Sequence, residues 1–305
     1  MPKNPLVSVM MPCYNASKTL PLALASLVAQ TYTNWECILV DDGSKDKPYK
    51  IVAQINDPRI RYIRLEKNMG RGFARQIALD KARGEYLCML DADDWIFSTK
   101  IENQVKILKT NPQISLCSTG MCIVDHLYSL IGIRSVERGK VPFRFEKPMQ
   151  HLSMPPIAYA PSMIRLDIAR DVSYDQNFTT VEDVDFLLNI LLNNAYCILN
   201  EASYVYTEYA TVSLPKVLEA LKFSRYMFMK HRNKYYFEAT YQICYSYIKT
   251  IIYWIGFHAG MKKWLIKRRS ISPSQNDIFM YKKELDNALS KYRNIFGGND
   301  LLISS

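Results

Sequence analysis

The chain has 305 residues, of which 49% are hydrophobic and 22% are charged, and this balance excludes wholesale disorder. Its 39 Lys and Arg against 29 Asp and Glu give a formal net charge of +10, which suits nucleic acid, an anionic membrane surface or an acidic substrate as a partner. The excess lies entirely in residues 216–305, which contain 16 basic and 6 acidic residues, whereas 1–215 contains 23 of each. The sequence therefore predicts two units, a neutral one over 1–215 and a basic one over 216–305.

The first ninety residues alternate between apolar runs and helix-forming segments. Apolar runs of strand length lie at 6–11, 36–40, 60–64 and 86–90. The segments between them predict helices at 20–28, 49–56 and 72–82. This alternation predicts an α/β fold with a mostly parallel sheet flanked by helices on both faces. Because ligands bind beyond the carboxyl ends of strands in such sheets, the residues that follow each strand are candidates for a site.

The rest of the chain has a different character. Prolines at 142, 148, 155, 156 and 161 predict a loop-rich stretch with a few strands. A helix with an apolar face is predicted over 183–193. From Pro215 onward the pattern is mostly helical, so the boundary between the two units is placed there.

Asp91 and Asp93 follow the predicted strand at 86–90 and are separated by one residue. On an extended segment, side chains two apart point the same way, so both carboxylates can face one ligand. Such oxygen ligands suit Mg²⁺ or Mn²⁺, and Mg²⁺ is usually held by one or two carboxylates together with substrate phosphates. The structural alternative is that Asp93 or Asp94 caps a helix that begins at Trp95.

Asp41-Asp42-Gly43-Ser44 follows the predicted strand at 36–40. An Asp-Gly pair after a strand is common in turns. A carboxylate here can equally accept a hydrogen bond from a base N–H group or from a ribose hydroxyl. The residues alone leave both interpretations open.

Gly70-Arg71-Gly72 begins the predicted helix at 72–82 and is followed by Arg75. The dinucleotide-binding fingerprint needs a third Gly or Ala where Arg75 stands, and it follows the first strand, so neither condition is met. A glycine-rich helix start with arginines still suits a phosphate. The alternative is an ordinary helix start.

Glu182-Asp183 precedes the apolar helix predicted over 183–193. Two acids at this point complement the positive end of the helix, which is a purely structural role. Asp175 and Asp185 lie nearby in the sequence, after the loop-rich stretch where an acceptor site can be assembled. In that setting a carboxylate serves as a general base towards a sugar hydroxyl.

Taken in order, these segments resemble the family 2 glycosyltransferases, which are inverting, nucleotide-sugar-dependent enzymes of the GT-A fold. The resemblance covers roughly 5–213 and does not extend to the basic region. Six motifs carry it: Val7-Ser8-Val9-Met10-Met11-Pro12-Cys13-Tyr14-Asn15, Gln30-Thr31-Tyr32, Val40-Asp41-Asp42-Gly43-Ser44, Asn68-Met69-Gly70 through Ala74-Arg75, Ala82-Arg83-Gly84-Glu85-Tyr86 leading to Leu90-Asp91-Ala92-Asp93-Asp94, and Glu182-Asp183-Val184-Asp185.

The resemblance implies a nucleotide site built from residues of the first, third and fourth motifs. Pro12 and Tyr14 would line the nucleotide base. Asp41 would bond to the base, and Arg75 would approach the nucleotide as well.

The resemblance also implies the metal and catalytic residues. Asp91 would hold the ribose or share the metal site, and Asp93 would bind the Mn²⁺ or Mg²⁺ ion that bridges the diphosphate. Asp183 would be the catalytic base, and Glu182 would contact the donor or acceptor sugar. The activity implied is transfer of a sugar, with inversion, from a nucleoside-diphosphate sugar to the hydroxyl of a glycan or lipid-linked saccharide. A UDP-sugar is the first expectation for the donor, and synthesis of surface polysaccharide or lipopolysaccharide is the process implied.

Two departures from the family pattern concern the site. The family often has an Arg and a His after the Glu-Asp helix, whereas Tyr206-Thr207-Glu208-Tyr209-Ala210-Thr211-Val212-Ser213 has neither. A histidine as third metal ligand is therefore missing or is supplied elsewhere. Gln76 also stands where Asn is usual.

The basic region suggests where the protein acts. Residues 239–258 are its most apolar stretch, but Lys249 and several tyrosines make it too polar for a confident membrane span. Trp264 and Leu265 are flanked by a basic run made of Lys262, Lys263, Lys267, Arg268 and Arg269. Aromatic residues beside clustered cations suit an anionic bilayer surface, and the alternative is a packed helical region with a solvated basic face.

The first fifteen residues have no signal-peptide pattern, and the seven scattered cysteines favour reduced thiols, so we expect a cytoplasmic location, peripheral on the inner face of the plasma membrane.

Two rival functions remain. A nucleic-acid- or membrane-binding protein without catalysis would use the basic region alone, although no nucleic-acid partner is expected because no module motif is present. A glycoside hydrolase would also use two carboxylates, but it offers no reason for a strand-ending Asp-x-Asp.

Overall fold

The structure, a computed structural model of the chain, describes residues 4–134, 142–207, 213–261, 264–265 and 269–297. Its elements in chain order are β1 (Val7–Cys13), α1 (Leu20–Val28), β2 (Trp35–Asp41), α2 (Tyr49–Ile55), β3 (Ile60–Arg64), α3 (Arg71–Lys81), β4 (Tyr86–Met89), β5 (Trp95–Ile96), α4 (Lys100–Thr110), β6 (Leu116–Val124), β7 (Leu130–Arg134), β8 (Phe143–Glu146), β9 (Met163–Arg165), α5 (Leu166–Arg170), α6 (Glu182–Leu191), β10 (Tyr196–Thr207), α7 (Leu214–Lys230), α8 (Tyr236–His258) and α9 (Gln275–Phe296). The strands and helices predicted for the first ninety residues are confirmed to within two residues at each end.

The strands of the described residues join in one sheet in the order β3-β2-β1-β4-β9-β6-β10-β5, with β7 beside β6 and β8 beside β10. The strands β3, β2, β1 and β4 are all parallel, as the alternation predicts. Beyond β4 the sheet is mixed, because β9 is antiparallel to both β4 and β6, whereas β6 and β10 are parallel. The predicted parallel arrangement therefore describes the first half of the sheet, and the short strands β8 and β9 come from the proline-containing stretch.

Both faces of the parallel half are covered by helices. Val9 and Met11 of β1 belong to the core on the α1 side, whereas Met10 packs with Ala74 and Ala78 of α3 on the other side. All five side chains are buried. Successive side chains of a strand point to opposite faces, so a strand that is covered on both sides must be apolar throughout. This is why β1 and β2 appear in the sequence as continuous apolar runs.

The segment after Asp94 rules out one interpretation of the acidic cluster. Trp95 and Ile96 form β5 and pair with Val205 and Tyr204 of β10. The next helix, α4, begins only at Lys100. The proposed capping of a helix at Trp95 by Asp93 or Asp94 is therefore wrong, because the antiparallel pairing with β10 holds this segment extended.

The helices predicted after Pro215 are confirmed as α7, α8 and α9, and they pack on the α/β part in two places. Tyr281 of α9 shares a buried cluster with Trp95 of β5. Met227 and Phe228 of α7 share another with Phe178, in the loop before α6. The basic region is thus attached to the sheet part through apolar contacts, and the boundary at 215 stays a prediction.

Candidate active site

A cleft of about 780 Å³ opens at the carboxyl ends of β1, β2 and β4. Six of the eight predicted site residues line it, namely Pro12, Tyr14, Arg75, Asp91, Asp93 and Asp183. The other two, Asp41 and Glu182, lie behind its wall. The residues that follow β1, β2 and β4 lie at this edge, and the starts of α3 and α6 bring Arg75 and Asp183 to the same place.

The loop that carries Asp91 and Asp93 is fixed by a tyrosine from a distant strand. The backbone N–H of Asp91 donates to the hydroxyl of Tyr204, 113 residues away in β10, at 3.2 Å. The same hydroxyl donates to Asp94 Oδ2 at 2.7 Å. Asp94 and Tyr204 are buried, and burial raises the pKa of the Asp94 carboxyl well above its usual value. Sequence reasoning missed Tyr204, since no local pattern marks it.

Asp93 is exposed at the cleft, and the half-buried Asp91 lies two residues before it in the chain. Desolvation by the cleft walls and the nearby Asp91 carboxylate raise the pKa of Asp93. Two carboxylates one residue apart supply oxygen ligands of the kind that Mg²⁺ and Mn²⁺ take in proteins. No cluster of three or more His, Cys, Asp or Glu side chains with metal-binding arrangement occurs among the described residues. Mg²⁺ is usually held in proteins by one or two carboxylates together with substrate phosphates, and Asp91 and Asp93 are the residues that would hold such an ion.

Arg75 connects the two acidic motifs. Its Nη2 donates to Asp91 Oδ1 at 3.1 Å, and its Nη1 donates to Glu182 Oε1 at 2.6 Å. Nη1 also lies 3.8 Å from Asp183 Oδ2. Burial opposes the charge of Arg75, but the carboxylates of Asp91, Asp183 and Glu182 outweigh it, so the pKa of Arg75 is raised. The guanidinium thus holds the end of β4 and the start of α6 together.

Glu182 is fully buried, at 0% exposure. Its carboxylate accepts from Arg75 and lies 3.3 Å from Arg71 Nε. Desolvation and the neighbouring Asp183 raise the pKa of Glu182 even though both arginines act in the opposite direction. In this structure Glu182 anchors the arginines of α3, and its predicted contact with a sugar stays a prediction.

Asp183 is the carboxylate of α6 that faces the cleft, with 29% of its side chain exposed. Its Oδ1 accepts from the backbone N–H of Val184 at 2.9 Å, in the first turn of the helix. Val181, the residue before α6, adopts a left-handed conformation with φ of 70°. This conformation is unusual for a β-branched residue, and it turns the chain sharply into the helix. The helix start therefore presents one carboxylate to the cleft and buries the other.

The two aspartates after β2 have different surroundings. Asp41 is buried, its Oδ1 accepts from the Ser44 N–H at 2.8 Å and its Oδ2 accepts from the hydroxyl of Tyr62. Asp42 lines the cleft, where its carboxylate accepts from the N–H groups of Met69 at 2.6 Å and Gly70 at 2.9 Å. The turn interpretation therefore suits Asp41, whose predicted bond to a base stays a prediction. Because successive side chains of an extended segment point to opposite sides, the sequence could have indicated that Asp41 and Asp42 have different surroundings.

The cleft is also lined by residues that the motifs did not predict, among them Tyr206 of β10, Arg134 of β7 and Arg269. The stretch in which the family has its Arg and His begins at Tyr206. Residues 208–212 of that stretch lie outside the described residues, so the question of a third metal ligand there stays open. Arg269 belongs to the basic region, for which the sequence left open an anionic bilayer surface or a packed helical region with a solvated basic face, and its position at the cleft was not predicted.

Comparison with known proteins gives a consistent set of matches. The chain matches the family model described as Glycosyl transferase family 2 over residues 8–172. It is 41% identical over 109 residues to an uncharacterized glycosyltransferase of Haemophilus influenzae, which covers 35% of this chain and 44% of that protein. It is 38% identical over 106 residues to the Escherichia coli UDP-Glc:alpha-D-GlcNAc-diphosphoundecaprenol beta-1,3-glucosyltransferase WfgD, which covers 35% of this chain and 42% of that protein. The chain thus spans less than half the length of these two relatives.

Solved structures share the fold. The mannosyltransferase PcManGT from Pyrobaculum calidifontis, in complex with GDP-Man and Mn²⁺, aligns with a TM-score of 0.57 at 14% identity, over 98% of this chain and 89% of that one. TarS 1–349 from S. aureus, in complex with UDP, aligns with a TM-score of 0.54 at 22% identity, over 73% of this chain and 65% of that one. At these identities the likeness concerns the fold alone. It confirms the predicted α/β class with a central sheet flanked by helices.

Proposed function

The chain belongs to glycosyltransferase family 2, and on this premise we propose that it transfers a sugar, with inversion, from a nucleoside-diphosphate sugar to the hydroxyl of a saccharide or lipid-linked saccharide. One observation carries the proposal. Arg75 holds Asp91 and Asp183 at opposite ends of a single guanidinium, at 3.1 and 3.8 Å, so a candidate base and a candidate metal ligand face one cleft.

The chemistry follows from this arrangement. Asp183 removes the proton from the acceptor hydroxyl, which attacks the anomeric carbon in line with the departing nucleoside diphosphate. A single displacement inverts the anomeric centre, so no nucleophilic side chain is required. Asp91 and Asp93 would hold Mn²⁺ or Mg²⁺, whose positive charge offsets the charge of the diphosphate leaving group.

The base assignment is tested by Asp183→Asn. We expect kcat to fall about 10²–10⁴-fold, the usual contribution of a general base, while nucleotide-sugar binding measured by calorimetry is retained. Asp167→Asn is the matched control, because Asp167 also lies in the first turn of a helix and accepts from the next backbone N–H at 2.9 Å. Near-wild-type turnover of Asp183→Asn would remove Asp183 from this role.

The metal assignment has its own test. We expect activity to require Mn²⁺ or Mg²⁺ and to be lost in excess chelator, and Asp93→Asn to raise the metal concentration needed for half-maximal rate. Full activity of the wild-type protein in chelator would remove the metal from the proposal.

The donor is found by measuring thermal stabilisation. The E. coli relative is named for a UDP-Glc donor, and the Pyrobaculum structure contains GDP-Man. A bound ligand stabilises the folded state by mass action. We propose a UDP-sugar as donor, and we expect UDP-sugars with Mn²⁺ to raise the unfolding temperature more than GDP-sugars do. The opposite ranking would assign the donor to the guanine series.

We also propose that the protein docks peripherally on an anionic membrane through α8, on the cytoplasmic face. Tyr241, Tyr245, Ile248, Ile252 and Ile255 recur every three or four residues and are all exposed. The three isoleucines are 53%, 48% and 54% exposed, and only Ala239, Ser246 and Gly256 of the 23 residues of α8 are buried. Exposed apolar side chains that recur along one helix are typical of a surface that binds a partner or a membrane.

The positive charge of the sequence that follows α8 favours an anionic lipid surface as the binding partner of this helix. The basic run of 262–269 follows α8 directly and supplies five positive charges within eight residues. Aromatic and aliphatic side chains beside cations are the composition of interfacial helices, and each Lys or Arg contributes about 1 kcal/mol near an anionic surface. No helix of the described residues is long and apolar enough to cross a bilayer, so a surface location is the form of association proposed.

Flotation with liposomes tests the docking. We expect wild-type protein to float with anionic vesicles at low salt, and Ile248→Glu with Ile252→Glu to abolish this. Leu127→Glu is the matched control, because Leu127 is 60% exposed in a turn away from α8. Failure of the wild-type protein to bind, or equal binding by the α8 variant, would refute the proposal.

A further inference from the structure

Lys230, the last residue of α7, joins two parts of the chain that meet at the start of α6. Its Nζ donates to Asp185 Oδ2 at 2.7 Å and to Asp175 Oδ2 at 2.9 Å. Asp185 lies in the first turn of α6, and Asp175 lies in the loop before that helix. Neither carboxylate is among the described residues that line the cleft. One ammonium group thus bridges the loop and the helix that carries Asp183.

The Asp185 carboxylate depends on Lys230 for the balance of its charge. Only 1% of the Asp185 side chain is exposed. Its Oδ1 is buried without a hydrogen-bond partner among the described residues, so Lys230 is the one donor that reaches this carboxylate there. Burial lowers the pKa of the neighbouring His231, which is therefore neutral near pH 7 and does not replace the charge. Loss of the ammonium would leave a buried carboxylate unpaired.

Apolar contacts hold α7 against the same loop. Phe178 and Val181 share a buried cluster with Met227 and Phe228 of α7. The ammonium of Lys230 also lies 5.2 Å from the centre of the Phe178 ring. Apolar contacts are not directional, whereas hydrogen bonds are. The cluster therefore fixes how closely α7 and the loop pack, and the two hydrogen bonds from Lys230 fix how the start of α6 is oriented.

We propose that Lys230 is a positioning residue, which holds the first turn of α6 in the orientation that presents Asp183 to the cleft. This inference rests on the proposed role of Asp183 as general base. Residues two apart on a helix lie about 200° apart around its axis. A rotation that brings Asp185 out to water therefore turns Asp183 away from the cleft. A displacement of about 1 Å at a reacting group can cost about 10²-fold in rate.

The proposal gives the basic region a part in the reaction. Lys230 lies beyond residues 8–172, which match the family model. On its other side α7 is bound to α8, because Arg225 Nη1 donates to the hydroxyls of Ser246 and Thr250, both at 3.2 Å. The last turn of α7 is thus held between α8 and the start of α6, which is a suitable support for a residue that must keep another in place.

The first experiment measures hydrogen–deuterium exchange without any substrate. We expect Lys230→Met to speed amide exchange in 175–185 about tenfold, since this segment then opens more readily. Lys230→Arg keeps the charge and should keep the wild-type exchange. Lys81→Met is the matched control, because Lys81 is also exposed and is also the last residue of a helix, α3. Unchanged exchange in Lys230→Met would overturn the proposal.

The second experiment measures turnover. We expect Lys230→Met to lower kcat about 10–10²-fold with little change in the KM of the donor, because the residues after β1, β2 and β4 are untouched. Lys230→Arg should keep most of the activity. In the Asp183→Asn background, Lys230→Met should cause no further loss, since the base that it positions is already absent. Losses that multiply would show that Lys230 does not act through Asp183.

A double variant separates positioning from stability. Lys230→Met with Asp185→Leu removes the buried unpaired charge, so we expect the free energy of unfolding to recover. We expect kcat to stay low, because the loop at Asp175 is still released. Recovery of both quantities would reduce Lys230 to a stabilising residue and overturn the proposal.

Failure of the proposed function has a different signature. Full turnover by Asp183→Asn would overturn the base assignment and, with it, the action of Lys230 through that residue. In that case the exchange measurement, which needs no turnover, would still report whether Lys230 holds the start of α6.

Discussion

Two clusters of acidic residues and arginines lie at opposite ends of the parallel strands. At the amino ends, the buried Glu36 of β2 accepts from Ser8 Oγ at 2.8 Å and from Arg83 Nη2 at 2.7 Å, with Arg61 at 3.3 Å. Burial opposes ionisation there, but the hydrogen bonds from Arg83 and Ser8 outweigh it and lower the pKa of Glu36. This cluster has more arginines than acids, and every charge has a partner.

At the carboxyl ends the balance is reversed. Asp91, Asp93, Glu182 and Asp183 share two arginines, and burial together with like charges raises the pKa of Asp93 and Glu182. Four carboxylates share two arginines here, so acidic groups outnumber cations, in agreement with the proposed roles of Asp91, Asp93 and Asp183. The comparison teaches that the same residue types stabilise the fold at one end of the sheet and line the candidate site at the other.

The largest effect on stability is expected from Arg75. Arg75→Met leaves Glu182 buried without its closest cation, so we expect a loss of about 3–5 kcal/mol in the free energy of unfolding. The double variant Arg75→Met with Glu182→Leu should recover most of it, since apolar side chains can replace a buried pair. Denaturant unfolding measures both. If the double variant also recovered transferase activity, the cleft cluster would be structural like the Glu36 cluster.

A smaller effect with a clear pH dependence is expected from Glu36→Gln. Because the pKa of Glu36 is lowered in the folded state, its stabilisation is fully present above its ordinary value of 4.5 and is lost as pH falls through the lowered value. At pH 7 we expect a loss of about 1.5–3 kcal/mol with unchanged activity. The exposed Glu66→Gln serves as control. A pH-independent loss, or reduced kcat, would contradict the structural role.

The smallest stability effect is expected from Tyr204→Phe, which removes the hydroxyl between Asp91 and Asp94. We expect a loss of about 1–2 kcal/mol, because the hydroxyl makes two hydrogen bonds, together with weaker Mn²⁺ binding, as found for residues that orient metal ligands. Tyr281→Phe loses one hydrogen bond of 2.6 Å to the Tyr128 carbonyl outside the cleft, so it should lose stability without losing metal affinity. Equal metal affinity in both variants would remove the orienting role of Tyr204.

The sequence by itself determined the elements of the parallel half and the edge at which the site lies. Its apolar periodicity defines strands and helices, and parallel strands bring their ends together whatever the side chains are. The family resemblance of the motifs predicted Pro12, Tyr14, Asp91, Asp93 and Asp183 as site residues, and all five line one cleft.

Only the tertiary structure decided which acids face that cleft and which are buried behind it. Asp41 and Asp42 are neighbours in the sequence, as are Glu182 and Asp183, yet only one residue of each pair, Asp42 and Asp183, lines the cleft. Tyr204 and Arg269 reach the site from strands and segments far along the chain. The physical reason is that local periodicity encodes which face of an element is apolar, whereas the environment of a polar side chain is set by partners that meet only when the chain has folded.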